Sequence, residues 1–219
     1  VEANPYLCNL LKKKFEKQIL EKKLIVENLV VTNNESFVES FYISKFGSQF
    51  STCRPEKNVL QIRDKTITKD DYLEKLINSI NILDLLKKHG HPHYIKIDLE
   101  HFDEIILNEI LEKCINKPLY ISSECQDIKV YDILIRSNEY QSFKYVLGSK
   151  VGDNYSNHKF KDINNFEQVF NFKKHSAGPF GDDILGNWLS KDEFKNKFLE
   201  LSDHELAPGW IDIHAKLKN

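Results

Sequence analysis

The strongest constraint on the fold is an alternation of short apolar stretches and helical patterns through the middle of the chain. Residues 94–99 predict a buried strand, and the spacing of apolar residues over 102–114 predicts an amphipathic helix. Further strands are predicted at "PLYISSEC" and "YQSFKYVLG", on either side of a helix over residues 128–136. Because parallel strands need a crossover that is usually a helix, the series predicts an α/β fold. We expect a Rossmann-like, mainly parallel sheet with helices on both faces.

The N-terminal part predicts further elements of both kinds. A helix is expected after Pro5, with Asn4 as its N-cap, and a second helix over Thr68–Lys88 that ends before Gly90. Strands are predicted at "LIVENLVV", "SFVESFYIS" and "NVLQIRDKTIT". We expect residues 1–149 to form the Rossmann-like core. Residues 150–219 are predicted to be a loop-rich extension of the same domain with a last strand.

Carboxylates stand where the predicted strands end. Asp98 and Glu100 follow the strand that begins at Tyr94, Glu124 ends "YISSE", and Glu2 follows what we interpret as the stub of another strand. Ligands of open α/β sheets bind beyond the carboxyl ends of the strands, so these acids predict a cationic or hydroxyl-rich ligand. Strand ends are also where polar residues resume, and acids favour helix N-termini, which would explain any one of them alone.

Composition excludes several classes of partner. With 31 basic and 33 acidic residues the net charge is −2, so no overall field attracts nucleic acid or an anionic membrane. No apolar run approaches the ~20 residues of a membrane helix. The four cysteines are widely spaced and form no CxxC pair, which predicts reduced thiols and a cytoplasmic protein.

The order of four stretches resembles the FkbM-type methyltransferases. These stretches are "VEANP", "YIKIDLEHFDEIILNEIL", "PLYISSE" and "FKYV". The hallmark of that family reads K-I-D-[V/I]-E-G-x-E, and "KIDLE" at residues 96–100 matches it. The stretches "HSAGPFGDDILGNW" and "GWIDIHAKL" are similar to the C-terminal part of a subset of the family. The resemblance implies a class I fold, S-adenosylmethionine as cofactor, and O-methylation of a sugar or related small-molecule or glycan acceptor.

The resemblance also implies roles for individual residues. Glu2 would accept hydrogen bonds from the ribose hydroxyls, Asn28 would flank the adenine, and Asp98 would bind the ammonium of the methionyl group. Glu100 would orient or deprotonate the acceptor hydroxyl, and Glu124 is a second candidate for acceptor binding.

The chain departs from the family pattern in two places. His101 replaces the glycine that follows the second acid of the hallmark, at a turn position where φ > 0 is expected; His101 could also reach the acceptor as a base. The chain contains no G-x-G, so the Gly-rich loop of the family is missing. It also contains no methionine. We expect a fragment that begins at the second strand, lacks the first, and is inactive alone.

Two other classes of function stay open. A metal-dependent α/β hydrolase could use the same strand-end acids, and a non-catalytic α/β binding module would need neither cofactor nor base. The histidines of "HGHPHY" lie in a loop marked by Gly90 and Pro92, without the spacing of a zinc site, so we predict no metal ligands there. The turn-rich stretch "HSAGPFGDD" either covers the acceptor or merely connects two elements.

Overall fold

The computed structural model describes residues 1–57, 61–62, 65–126, 128–162, 164–174, 176–201 and 210–218, with the backbone alone at 61–62 and 65–66. The helices are α1 (Pro5–Lys14), α2 (Glu16–Leu20), α3 (Ile82–His89), α4 (Asp103–Lys113), α5 (Ile128–Arg136), α6 (Val151–Asn154) and α7 (Lys191–Leu199). The strands are β1 (Val30–Thr32), β2 (Val38–Ser44), β3 (Gln61–Ile62), β4 (Lys65–Thr66), β5 (Tyr72–Asn81), β6 (Tyr94–Ile97), β7 (Tyr120–Glu124), β8 (Tyr140–Leu147), β9 (His158–Lys161), β10 (Glu167–Phe170), β11 (Leu189–Ser190) and β12 (Ile211–Leu217). The backbone divides into two compact units, residues 1–90 with 99–114 and residues 91–98 with 115–219.

The first unit contains a three-stranded sheet in the order β1-β5-β2. β5 runs parallel to β1 and antiparallel to β2, and the buried side chains of Val30, Phe41 and Ile77 join the three strands in one core cluster. The helix predicted over Thr68–Lys88 is therefore wrong in its first half. The residues of β5 form a long ladder with β2, and this pairing between distant segments overrides the local helical spacing.

Helix termini in the first unit follow the predicted capping chemistry. The side chain of Asn4 accepts hydrogen bonds from the backbone nitrogens of Tyr6 (3.0 Å) and Leu7 (3.5 Å), which confirms the predicted N-cap of α1. α3 begins after Asn81, whose side chain accepts from Leu83, and ends at Gly90 with φ 87°.

The strand predicted at "LIVENLVV" is shorter than expected, since only Val30–Thr32 is paired. Part of the strand predicted at "NVLQIRDKTIT" lies outside the described residues.

The second unit is built on a five-stranded sheet in the order β11-β8-β12-β7-β6. β6 and β7 are parallel, whereas β12 is antiparallel to both β7 and β8, and β11 is antiparallel to β8. The prediction of a mainly parallel sheet is therefore wrong, and the protein is α/β with mixed sheets. A local pattern identifies a strand, but its direction depends on which neighbours the chain reaches much later.

One face of this sheet is apolar and is covered by helices. Ile213 and Ala215 of β12 and Phe143 of β8 have no exposed surface. The ring of Phe143 packs against Phe194 of α7, with 5.3 Å between ring centroids. Within the described residues β6 is hydrogen-bonded to β7 alone and forms an edge of the sheet.

The last strand of the chain is β12, but the boundary expected at residues 149/150 is not tested by the two compact units and stays a prediction. Across the part of the chain that the structure describes, no helix combines the length and the apolar character needed to cross a membrane.

Candidate functional site

The opposite face of the five-stranded sheet carries polar side chains on four neighbouring strands. Alternate residues of a strand point to the same face, so Asp212, His214 and Lys216 share one side of β12. The pairing register places His214 beside Ser122 of β7 and Lys144 of β8. We call this set the polar face; its members are Tyr94, Lys96, Tyr120, Ser122, Glu124, Lys144, Asp212, His214 and Lys216.

A buried ion pair lies at the centre of the polar face. The Nζ atom of Lys96 donates a hydrogen bond to Oδ1 of Asp212 at 2.7 Å and lies 3.6 Å from Oδ2 of Asp98. Burial alone would lower the pKa of Lys96, but the carboxylates of Asp212 and Asp98 outweigh it and raise the pKa, so the ammonium stays charged. Burial raises the pKa of Asp212, and Lys96 offsets part of that effect.

Two polar atoms of the polar face are buried without a hydrogen-bond partner among the described residues: Oδ2 of Asp212 and Nε2 of His214. His214 is 3% exposed, and burial together with the charges of Lys96 and Lys144 lowers its pKa to about 3. The imidazole is therefore neutral at physiological pH. Buried polar atoms usually have partners, so these two mark a place for an ordered water or a ligand group.

The segment after Gly178 packs on the polar face. The ring of Phe180 stacks on Tyr94 with centroids 4.3 Å apart, and Nζ of Lys144 donates to the carbonyl oxygen of Ile184 at 2.5 Å. Asp182 accepts hydrogen bonds from Nε1 of Trp188 (2.6 Å), the hydroxyl of Tyr120 (2.9 Å) and Nζ of Lys216 (3.3 Å). These bonds, led by the one from Trp188, lower the pKa of Asp182. Residues 178–183 of the "HSAGPFGDD" stretch thus cover strand side chains; a role over the acceptor stays a prediction.

The structure brings together two of the predicted site residues at the ends of neighbouring parallel strands. Asp98 follows β6, Glu124 ends β7, and their carboxylate oxygens lie within 4.8 Å of one another. The side chain of Asp98 is 46% exposed. Two carboxylates at this spacing can attract one cationic group.

A cavity of about 340 Å³ opens beside Glu124, in the size range of small-molecule pockets. The residues that line it are Glu124, Cys125, Gln126, Ile128, Phe198, Trp210 and Ile211. Aromatic and aliphatic side chains form most of this set, and Glu124 supplies the carboxylate. The cavity therefore combines an apolar wall with a group that can accept a hydrogen bond from a hydroxyl.

In the first unit the structure brings Glu2 and Asn28 together. Oε1 of Glu2 accepts a hydrogen bond from the backbone nitrogen of Asn4 at 2.7 Å, just before α1. Nδ2 of Asn28 donates to the carbonyl oxygens of Glu2 (2.8 Å) and Ala3 (2.9 Å). The amide nitrogen of Asn28 thus holds the backbone of the adjacent segment. Its role beside an adenine stays a prediction.

Glu100 and His101 form a turn with left-handed backbone. Their φ angles are 45° and 74°, so the turn position predicted from the missing glycine is present with two non-glycine residues. The carbonyl oxygen of Glu100 accepts a hydrogen bond from Oγ1 of Thr52 at 2.6 Å, which anchors the turn within the first unit. A left-handed conformation costs an L-residue about 1–2 kcal/mol, so the turn is strained. The predicted roles of Glu100 and His101 toward an acceptor stay predictions.

Each histidine of "HGHPHY" has a protein neighbour of its own. Nε2 of His89 lies 3.3 Å from Oε2 of Glu27, and Nε2 of His91 lies 3.1 Å from Nδ2 of Asn116. The ring of His93 packs edge-on against Tyr120, with centroids 5.3 Å apart.

Sequence reasoning missed Asp212, His214 and Lys144, and it assigned no role to Lys96. A signal was present in "IDIHAKL", where polar and apolar residues alternate. This pattern predicts a strand with one polar face, but it does not reveal that the polar face is buried or which strands lie beside it.

No protein-family model, no curated protein and no solved structure matches this chain significantly.

Proposed function

We propose that this chain is the catalytic part of an S-adenosylmethionine-dependent methyltransferase of the FkbM type that methylates a hydroxyl group. The observation that carries the proposal is the pair of carboxylates, Asp98 and Glu124, within 4.8 Å of one another at the carboxyl ends of adjacent parallel strands. This is where α/β sheets bind ligands.

The five-stranded sheet is compatible with a Rossmann-like fold, because β6 and β7 are parallel, whereas β12 is antiparallel to both of its neighbours. Other α/β proteins also contain mixed sheets, so the topology is consistent with the proposal without carrying it.

Within the proposal each acid has a chemical task. S-adenosylmethionine would supply an activated methyl group bound to a sulfonium, together with an ammonium that needs an anionic partner. Asp98 fits the ammonium, because its carboxylate is partly exposed at the end of β6. Glu124 borders the cavity in which an acceptor hydroxyl could lie, and Glu100 is the base by resemblance. Glu100 would accept the proton of that hydroxyl, and S-adenosylmethionine would supply the methyl group that the hydroxyl oxygen takes up.

Calorimetry with S-adenosylmethionine and S-adenosylhomocysteine tests the proposal on the natural full-length protein that contains these residues. We expect measurable binding of both, and at least tenfold weaker binding after Asp98→Asn, since a charge-assisted hydrogen bond is worth ~1.5–3 kcal/mol. Asp153→Asn is the matched control, because it removes an exposed acid from α6. Absence of binding by the wild-type protein would contradict the proposal.

A metal-dependent hydrolase is a second candidate, favoured by the same short separation of Asp98 and Glu124, whose oxygens could ligate a hard divalent cation. The ammonium of Lys96, 3.6 Å from Asp98, repels a divalent cation there more strongly than it repels a singly charged ammonium. Titration with Mg²⁺ or Ca²⁺ separates the two candidates: metal binding that depends on both acids, without binding of S-adenosylmethionine, would favour the hydrolase. Binding of neither would favour the non-catalytic module.

A further inference from the structure

Lys96 lies between two carboxylates that differ sharply in environment. Its Nζ atom is 2.7 Å from Asp212 and 3.6 Å from Asp98. The side chain of Asp212 is 1% exposed, whereas that of Asp98 is 46% exposed. The ammonium is therefore hydrogen-bonded to the buried acid and lies within reach of the exposed one.

Burial decides which acid holds the ammonium. A charge pair is stronger in a low-dielectric interior than at the surface, where water screens it. Within the described residues, the Oδ2 atom of Asp212 has no hydrogen-bond partner. The negative charge of this carboxylate is therefore balanced by the hydrogen bond that Lys96 donates to its Oδ1 atom. Releasing Lys96 toward Asp98 would leave an ionised group buried without a partner, which is strongly unfavourable.

The consequence concerns Asp98. An ammonium paired with Asp98 would neutralise its carboxylate and compete with any cationic ligand. We propose that Asp212 is a positioning residue that holds Lys96 by their hydrogen bond and so leaves the Asp98 carboxylate accessible to the ammonium of S-adenosylmethionine. This inference rests on the proposed function for the identity of the ligand. The hydrogen bond by which Asp212 holds Lys96 can be measured without any ligand.

A direct readout is the ¹H–¹⁵N signal of the Lys96 ammonium in the natural full-length protein, assigned by its absence in Lys96→Gln. Asp212→Asn is expected to move this signal far more than Asp98→Asn does, because the hydrogen bond runs to Asp212. A larger change in Asp98→Asn would show that Asp98 holds Lys96 instead, and it would overturn the proposed hold by Asp212. This measurement needs no ligand, so its result holds whether or not the proposed function is correct.

Affinity for S-adenosylmethionine gives the second readout. Asp212→Asn is expected to weaken binding at least tenfold, because a neutral amide no longer outcompetes the carboxylate of Asp98 for the ammonium of Lys96. The double variant Lys96→Gln/Asp212→Asn is expected to restore binding to within about threefold of wild type, since the competing charge is gone. A merely structural role of Asp212 would not be rescued by removing Lys96.

The outcomes separate the two proposals. Wild-type protein that fails to bind S-adenosylmethionine contradicts the proposed function. The ammonium signal alone then decides whether Asp212 holds Lys96. Wild-type binding with unchanged affinity in Asp212→Asn overturns the positioning role. If Asp212→Asn does not fold, Lys96→Gln and the double variant decide: both are expected within about threefold of wild type. A tenfold loss in either would show that Lys96 itself contacts the ligand.

Discussion

Glu2 in the first unit and Asp212 in the second are both carboxylates near the end of a strand or its expected stub, yet they are held in opposite ways. Glu2 is partly buried and accepts a hydrogen bond from Asn4, two residues along the chain. Asp212 has no exposed surface and depends on Lys96, 116 residues away in the sequence. The first acid is satisfied by its own loop, whereas the second is satisfied only when distant strands pair.

The two acids therefore control different properties. A partly exposed acid with a local partner contributes little to the stability of the fold, so its substitution should cost little free energy of unfolding. A buried ion pair contributes to stability in a conditional way, because removing one partner leaves the other charged and unsolvated. We therefore expect substitutions near Asp212 to change the free energy of unfolding, and substitutions near Glu2 to change binding.

The largest effect is expected from Lys96→Met, which leaves the carboxylate of Asp212 buried and unpaired. The free energy of unfolding should fall by about 3–5 kcal/mol, measured by urea denaturation. Lys159→Met is the matched control: Lys159 pairs with Glu167 at 3.2 Å with both side chains exposed, and we expect its loss to cost about 0.5 kcal/mol or less. Equal effects of the two substitutions would break the contrast between buried and exposed pairs.

The next effect concerns pH and His214. Its pKa in the folded protein is about 3, below the value of about 6.5 in an unfolded chain. The unfolded chain therefore binds the proton first, so this contribution to stability is complete above pH 6.5 and is lost as the pH falls toward 3. At pH 5 the loss should be about 2 kcal/mol, from ~1.4 kcal/mol for each pH unit below 6.5.

His214→Leu should flatten the stability profile between pH 7 and pH 5, measured by urea unfolding at each pH. His91→Gln, which removes an exposed histidine, is the matched control. A slope that persists in His214→Leu would assign the acid sensitivity to other groups.

A smaller effect is expected from Glu2→Gln, on binding and not on stability. The amide oxygen of glutamine can still accept the hydrogen bond from Asn4, so the unfolding midpoint should stay close to that of wild type. Affinity for S-adenosylmethionine should fall about tenfold if Glu2 binds the ribose, since a hydrogen bond to a charged group is worth ~1.5–3 kcal/mol. Unchanged affinity in calorimetry would remove Glu2 from the ligand site and leave it as a capping residue.

The smallest effect is expected from His101→Gly. Glycine adopts the observed φ of 74° without strain, but it also gains more freedom in the unfolded chain, so we expect a net stabilisation of about 1 kcal/mol or less. His91→Gly removes an exposed histidine whose φ is not left-handed and should not stabilise. Destabilisation by His101→Gly would show that the imidazole makes contacts that outweigh the strain.

Features whose causes are local could be predicted from the amino-acid sequence. The N-cap at Asn4 needs only the next turn of backbone, and α5 spans Ile128–Arg136 as its apolar spacing predicts. The left-handed turn at His101 follows from a position where the related pattern has glycine. In each case the interacting groups lie within a few residues, so their spacing in the sequence is also their geometry.

Features that depend on distant neighbours could not be predicted from the sequence and are seen only in the tertiary structure. β5 has the spacing of a helix but pairs with β2, and β12 lies antiparallel between β7 and β8 although nothing in its own residues sets its direction. The pairing of β12 places Asp212 where Lys96 can reach it and removes both from most contact with water. An alternating strand has the same sequence whether its polar face meets solvent or another buried charge, because that choice belongs to the strands and loops packed against it.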